Sequence, residues 1–204
     1  MNSLVNLAKQ AVENYIKDNI VIIPPVDLPN EFLTRKAGTF VTIEKCASSA
    51  HPPTRRELRG CIGTYLPTRE NIAEEIIYNA IAAATEDYRF GPIQGEELPH
   101  LSYTVYILSE PELVNPHTTT RIISALRQER QSSFGVGVKD ISELNPKKFG
   151  IIVKSKTKCG LLLPDLEGVD TIEKQISICC QKGGIDPLKE KIFIYRFTVE
   201  KYGQ

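Results

Sequence analysis

Six consecutive residues, Leu58-Arg59-Gly60-Cys61-Ile62-Gly63, constrain this chain more than any other stretch. They set a thiol between two glycines with an arginine two places upstream, in a segment whose composition predicts a strand. Side chains alternate faces along a strand. On strict alternation Leu58, Gly60, Ile62 and Thr64 share one face, and Arg59, Cys61 and Gly63 the other. Leu58 and Ile62 are then expected to anchor a core, while the opposite face presents a cation, a sulfur and a gap. Glycine weakens a strand interior and often marks close approach by a ligand or another backbone. Two of them around a cysteine mark a candidate site.

The rest of the chain bounds what such a site can serve. At 204 residues it is long enough for one large domain or two small lobes. Twenty-five Lys and Arg balance twenty-five Asp and Glu, so there is no general attraction to nucleic acid or to an anionic membrane. No run reaches the roughly 18 apolar residues of a spanning helix. The first twenty residues carry Lys9, Glu13, Lys17 and Asp18 at helical spacing instead of the apolar centre of a signal peptide. A soluble, cytoplasmic protein is the expectation. Five cysteines, 46, 61, 159, 179 and 180, form no C-x-x-C pair and no disulfide framework, and three histidines, 51, 100 and 117, sit in no metal motif. No metal and no cofactor is expected.

In chain order, Ser3 is expected to cap a helix through about residue 18, with Leu4, Leu7, Ala8, Ala11, Val12 and Tyr15 on one stripe. The prolines at 24, 25 and 29 exclude helix there. Residues 38–46 alternate as a strand, and a polar loop over 47–57 leads into the 58–63 strand, predicting an antiparallel pair. Thr68 is expected to cap a helix to about residue 84, whose alanines permit close approach to a sheet. A turn-rich segment over 86–99 precedes a strand at 101–108. A short helix is predicted over 118–128, strands over 134–139, 149–155 and 161–163, a helix over 171–182 capped by Asp170, and a final strand over 192–200. Helices and strands mix without βαβ repetition, which predicts an α+β fold with mixed or antiparallel sheets and flanking helices.

The motif Leu-Arg-Gly-Cys-Ile-Gly resembles the signature of the AMME chromosomal region protein family, whose prokaryotic members are also called AmmeMemoRadiSam system protein A. The likeness extends along nearly all of the chain. Gly38-Thr39-Phe40-Val41-Thr42 resembles the family's preceding strand and residues 71–84 its alanine-rich helix. Asp87, Arg89 and Phe90 match its Asp-x-Arg-Phe element, Glu97-Leu98 its Glu-Leu, and residues 160–164 its Gly-Leu-Leu-Leu-Pro. Tyr88 and Gly91 stand where the family commonly has proline, and residues 115–139 read as an insertion in a domain covering 1–204. The resemblance implies a two-lobed fold with the signature strand facing an interlobe cleft. It also implies association with Memo-type and radical-SAM proteins. It supplies no reaction.

The residues themselves leave three readings of Cys61 open. A neighbouring cation favours the nucleophilic thiolate, which makes Cys61 a candidate nucleophile and Arg59 its stabiliser. Equally, Cys61 can line a ligand without reacting, or pack as a small hydrophobe. Glu97 is the candidate base, and Gly60, Gly63, Thr64, Asp87 and Arg89 are candidate ligand-binding residues, Arg89 through a fork suited to carboxylate or phosphate. The alternative for the charged residues is a structural staple, since buried charges need partners. Cys159, ahead of the second matched motif, is a more distant candidate for the same site. Two functions follow: an enzyme or enzyme component acting on a small or peptide-like substrate at Cys61, or a non-catalytic ligand-binding or adaptor domain for the implied partners.

Overall fold

The computed structural model describes residues 2–46, 56–115, 119–120, 122–124 and 144–203. The chain is α+β and divides into two compact units. One comprises residues 1–108 with 200–204 and the other residues 109–199.

The first unit opens with α1 (Ser3–Asp18), whose cap is Asn2, one residue earlier than expected. The Asn2 side chain accepts the Leu4 amide at 2.9 Å, satisfying a helix-end donor. Leu4, Val5, Leu7, Ala8, Ala11 and Val12 are buried along one stripe. A one-turn helix, α2 (Asn30–Thr34), follows the prolines. Strands β1 (Thr39–Cys46) and β2 (Arg56–Gly63) pair antiparallel, as the sequence indicates. Helix α3 (Ile72–Thr85) starts later than predicted, because Asn71 and not Thr68 is its cap. A 3-10 helix (Gly95–His100) leads into β3 (Leu101–Leu108). The sheet order is β2-β1-β3, completed by the C-terminal strand β8 (Val199–Gly203). Helices α1 and α3 share one core with the sheet residues Val41, Ile43, Tyr103, Val105 and Ile107.

The second unit carries a four-stranded antiparallel sheet in the order β4 (Glu112–Leu113), β7 (Phe193–Phe197), β5 (Gly150–Ser155), β6 (Lys158–Leu162). Helix α4 (Ile172–Gly183) covers it, capped by Thr171 instead of Asp170 and ended by Gly184 at φ 62°, a left-handed stop suited to glycine. Ile151, Val153, Ile176, Cys179 and Ile194 are central to its core. Of the predicted helix at 118–128, residues 119–120 and 122–124 are helical. The predicted strand at 134–139 lies outside the described residues.

Two further expectations need correction. The final strand is two strands, β7 and β8, which belong to different sheets. They are separated at Thr198, whose amide and carbonyl bond to Ser109 instead. Second, Leu58 is not a core anchor but 41% exposed. Opposite β1, Ile43 pairs with Gly60 while Glu44 pairs with Leu58, so Arg59 faces no partner. That extra residue is a bulge, and it inverts the alternation on its N-terminal side.

Candidate functional site

Strand β2 is an edge strand, so among the described residues one side of its backbone has no neighbouring strand. At Cys61 that side is closed by side chains from the turn after α3. Asp87 Oδ2 accepts the Cys61 amide at 2.8 Å, and Arg89 Nη2 reaches the Cys61 carbonyl at 3.4 Å. Asp87 and Arg89 also bind each other through a fork, Nε to Oδ1 at 2.9 Å and Nη2 to Oδ2 at 2.7 Å. Asp87 is 5% exposed. The Arg89 hydrogen bond, opposed by burial and helped by the Cys61 amide, lowers its carboxyl pKa to about 2. Asp87 in turn, with smaller contributions from Cys61 and Tyr88, raises the pKa of Arg89.

With its backbone turned to the edge, Cys61 pairs with Thr42 through side chains, the close type of antiparallel pair. Thr42 Oγ1 donates to Cys61 Sγ at 3.3 Å. The thiol is half-buried. Arg89, at 45% side-chain exposure, is a cation near it, bonded to the Cys61 carbonyl.

Arg59 goes elsewhere. Its Nε and Nη2 grip both Glu97 oxygens at 2.9 Å, and its remaining donors reach the Gly91 and Pro92 carbonyls at 2.8 and 3.2 Å. Glu97 also accepts from Lys45 and from the Gln94 amide, both at 3.1 Å. The bulge is what turns Arg59 out of register toward this 3-10 turn. Hydrogen bonding by Arg59, against an opposing contribution from burial, lowers the Glu97 pKa to about 2. A carboxylate held this firmly has little affinity for a proton at neutral pH. The geometry gives Arg59 and Glu97 to each other, as a staple between β2 and the turn.

The glycines are also occupied. A Cβ on Gly60 would lie 2.0 Å from the Ala83 carbonyl oxygen of α3, so its bare face admits the helix backbone. A Cβ on Gly63 would meet the Phe40 ring at 2.3 Å, so the gap beside Cys61 on that face is filled by the facing aromatic side chain. Thr64 donates to Glu75 Oε1 at 2.6 Å.

Glu75 and Asn79 are polar residues that the sequence reading passed over. Glu75 is 1% exposed and accepts from the Thr64 and Thr68 hydroxyls and from the Thr68 and Arg69 amides, at 2.6–2.9 Å. Asn79 donates to Thr39 at 2.9 Å and to Thr64 at 3.4 Å. Their signal was present as two polar residues four apart within an apolar helix, on one face. Thr42 was likewise missed, and only strand register identifies it.

His51 lies outside the described residues. Cys159 is exposed on β6, in the sheet of the second unit. Among the described residues no cluster of three His, Cys, Asp or Glu side chains could hold a metal ion, and no helix is long and apolar enough to cross a membrane.

Comparison with known proteins agrees with this architecture. A Thermotoga maritima protein is 45% identical over 198 residues, covering 97% of this chain and 95% of its own. A Clostridium acetobutylicum protein is 36% identical over 199 residues, but these make up only 34% of that longer chain. The crystal structure of an uncharacterised Pyrococcus horikoshii protein superposes with a TM-score of 0.76 at 31% identity, covering 98% of this chain and 89% of that one. The AMMECR1 family model matches residues 5–202. The chain belongs to the AMMECR1 family.

Proposed function

We infer that the chain is an enzyme or enzyme component that engages a small or peptide-like substrate at Cys61. The observation that carries this reading is the setting of the thiol. Its sulfur accepts the Thr42 hydroxyl at 3.3 Å, and the half-exposed Arg89, held by Asp87, is the nearby cation. A hydrogen bond donated to sulfur and a neighbouring cation are the features by which a cysteine is activated as a nucleophile. In this reading Cys61 is the nucleophile, Thr42 and Arg89 stabilise its negative charge, and Asp87 is a positioning residue that fixes Arg89 and the Cys61 amide. Arg59 and Glu97 hold the strand to the turn. Gly60 and Gly63 bring α3 and Phe40 close, and Thr64 anchors the end of β2.

In this reading Memo-type and radical-SAM proteins, the partners that the family resemblance implies, supply or consume the substrate in the cytoplasm. The longer Clostridium relative supports the component reading, since a domain of this length recurs there within a larger chain. A second reading, a non-catalytic ligand-binding or adaptor domain, is favoured by one observation: the Asp87–Arg89 pair already satisfies the Cys61 backbone, a structural task that needs no substrate.

The deciding measurement is the pH dependence of alkylation at each cysteine, followed by mass spectrometry on the native protein. The enzyme reading expects Cys61 to alkylate with an apparent pKa well below the ~8.5 of an ordinary thiol. An unshifted profile, or no reaction under native conditions, would overturn it in favour of the adaptor.

A further inference from the structure

The second unit contains a cavity that the thiol site does not use. It has a volume of about 280 Å³ and is lined by Leu113, Ile123, Ile192 and Phe193, with Thr119 and Lys191 as two of its polar residues. That volume falls just below the ~300 Å³ lower end of small-molecule pockets. The walls come from three places: edge strand β4 and Val114 after it, the chain entering β7, and the helical residues Thr119, Thr120 and Ile123.

Its polar groups are what distinguish it from a packing defect. Thr119 is 8% exposed. Its amide bonds to the Asn115 carbonyl, yet its hydroxyl makes no hydrogen bond among the described residues. Among the described residues the buried side-chain atoms left without a partner are Tyr103 Oη and Gln175 Oε1, so the Thr119 hydroxyl keeps access to the cavity it lines and can bond a ligand atom there. Lys191 is exposed at the same cavity, with its ammonium 5.2 Å from the centre of the Phe193 ring and no carboxylate partner among the described residues. Leu113 and Phe193 are 54% and 43% exposed, an apolar surface that would be covered by an occupant.

We propose that this cavity binds a small amphipathic carboxylate, with its apolar body between Leu113, Ile123 and Phe193 and its anionic head paired with Lys191. The size admits a short chain or single ring, the walls exclude a wholly polar metabolite, and the unpaired ammonium selects an acid over an alcohol. Thr119 supplies a hydrogen bond inside the cavity. Because the ammonium is partly solvated, it contributes selectivity more than strength.

The test is calorimetric titration of the full chain with octanoate, with octanol as the uncharged probe, combined with methyl NMR to locate the ligand. Octanoate should bind with one-to-one stoichiometry and shift the Ile123 and Ile192 methyl signals. It should bind roughly tenfold tighter than octanol, a difference of about 1.4 kcal/mol. Lys191→Gln, at an exposed position that leaves the core intact, should abolish that difference while leaving octanol unchanged. Thr119→Val should weaken whichever probe binds. Equal affinity for the two probes in the unmodified chain, shifts confined to other methyls, or no binding at about 1 mM, the weak end of the useful affinity range, would each overturn the proposal.

Discussion

Asp87 accepts the backbone amide of Cys61 at 2.8 Å across 26 residues of sequence. The same carboxylate holds Arg89, so one side chain closes the edge of β2 at the thiol and fixes the cation beside it. Replacing it should have two separable consequences. Asp87→Asn should cost about 2–3 kcal/mol of stability, the range for lost hydrogen bonds to a charged group, read from urea unfolding. It should also slow Cys61 alkylation, because Arg89 is released. A variant of unchanged stability would show that the Asp87 contacts contribute nothing net.

The two arginines of the site should separate cleanly. Arg59 is 16% exposed on its side chain, which among the described residues bonds only to Glu97, Gly91 and Pro92. Arg59→Ala should therefore cost about 3 kcal/mol, because Glu97 is left half-buried with Lys45 as its remaining cation. That exceeds the roughly 2 kcal/mol expected for Ile62→Ala at a partly buried position. Cys61 reactivity should stay as it was. Arg89→Ala should do the reverse, with a smaller stability loss and slower alkylation. Equal effects of both arginines on the thiol would contradict the assignment of Arg89 as its cation.

Acid should unfold the protein through the same carboxylates. Asp87 and Glu97 ionise at about 2 in the folded state against ordinary values of 3.8 and 4.5. A lowered folded pKa gives stability that is fully present above the unfolded value and is lost as pH falls through the folded one. Stability should thus be level above pH ~5 and decline between about 4.5 and 2. Glu97→Gln should start from lower stability and lose less of it across that window. An unchanged slope in that variant would remove Glu97 from the account.

Helix α3 should tolerate nothing larger than hydrogen at residue 60. An added Cβ would meet the Ala83 carbonyl at 2.0 Å, whereas one on Gly91 meets nothing within 4 Å. Gly60→Ala should destabilise by about 3 kcal/mol, the upper part of the overpacking range, and Gly60→Val by more. Gly91→Ala should be nearly neutral. Thermal melts of the variants decide this, and equal melting of Gly60→Ala and Gly91→Ala would refute the close approach.

Glu75 should matter out of proportion to its invisibility from the surface. It is bonded by two hydroxyls and two amides, all donors. Glu75→Gln would turn an amide N–H toward them, at a cost of about 2–3 kcal/mol. Faster hydrogen exchange at the Thr68 and Arg69 amides should accompany the loss. Unchanged protection there would mean that the carboxylate does not hold this turn.

Much of the architecture was legible in the residues because its causes are local. Periodicity gave α1, α3, α4 and the antiparallel β1–β2 pair, and the run at 101–108 matched β3. These signals depend on side chains within a turn or two of each other. The caps were displaced by one to three residues, since Asn2, Asn71 and Thr171 compete with equally suitable neighbours. The motif and its companions also identified the family.

The site was decided by tertiary structure. Alternation is a count, and the bulge at Arg59 adds one residue to it, so Leu58 turns outward and Arg59 turns to Glu97. Nothing local distinguishes Glu97 from Asp87 as the partner of Arg59. The choice is made by where the 3-10 turn and the post-helix turn bring the two carboxylates against β2, 38 and 26 residues away in sequence. A charge is assigned by the partner that can desolvate with it, and that partner is known only once the chain has packed.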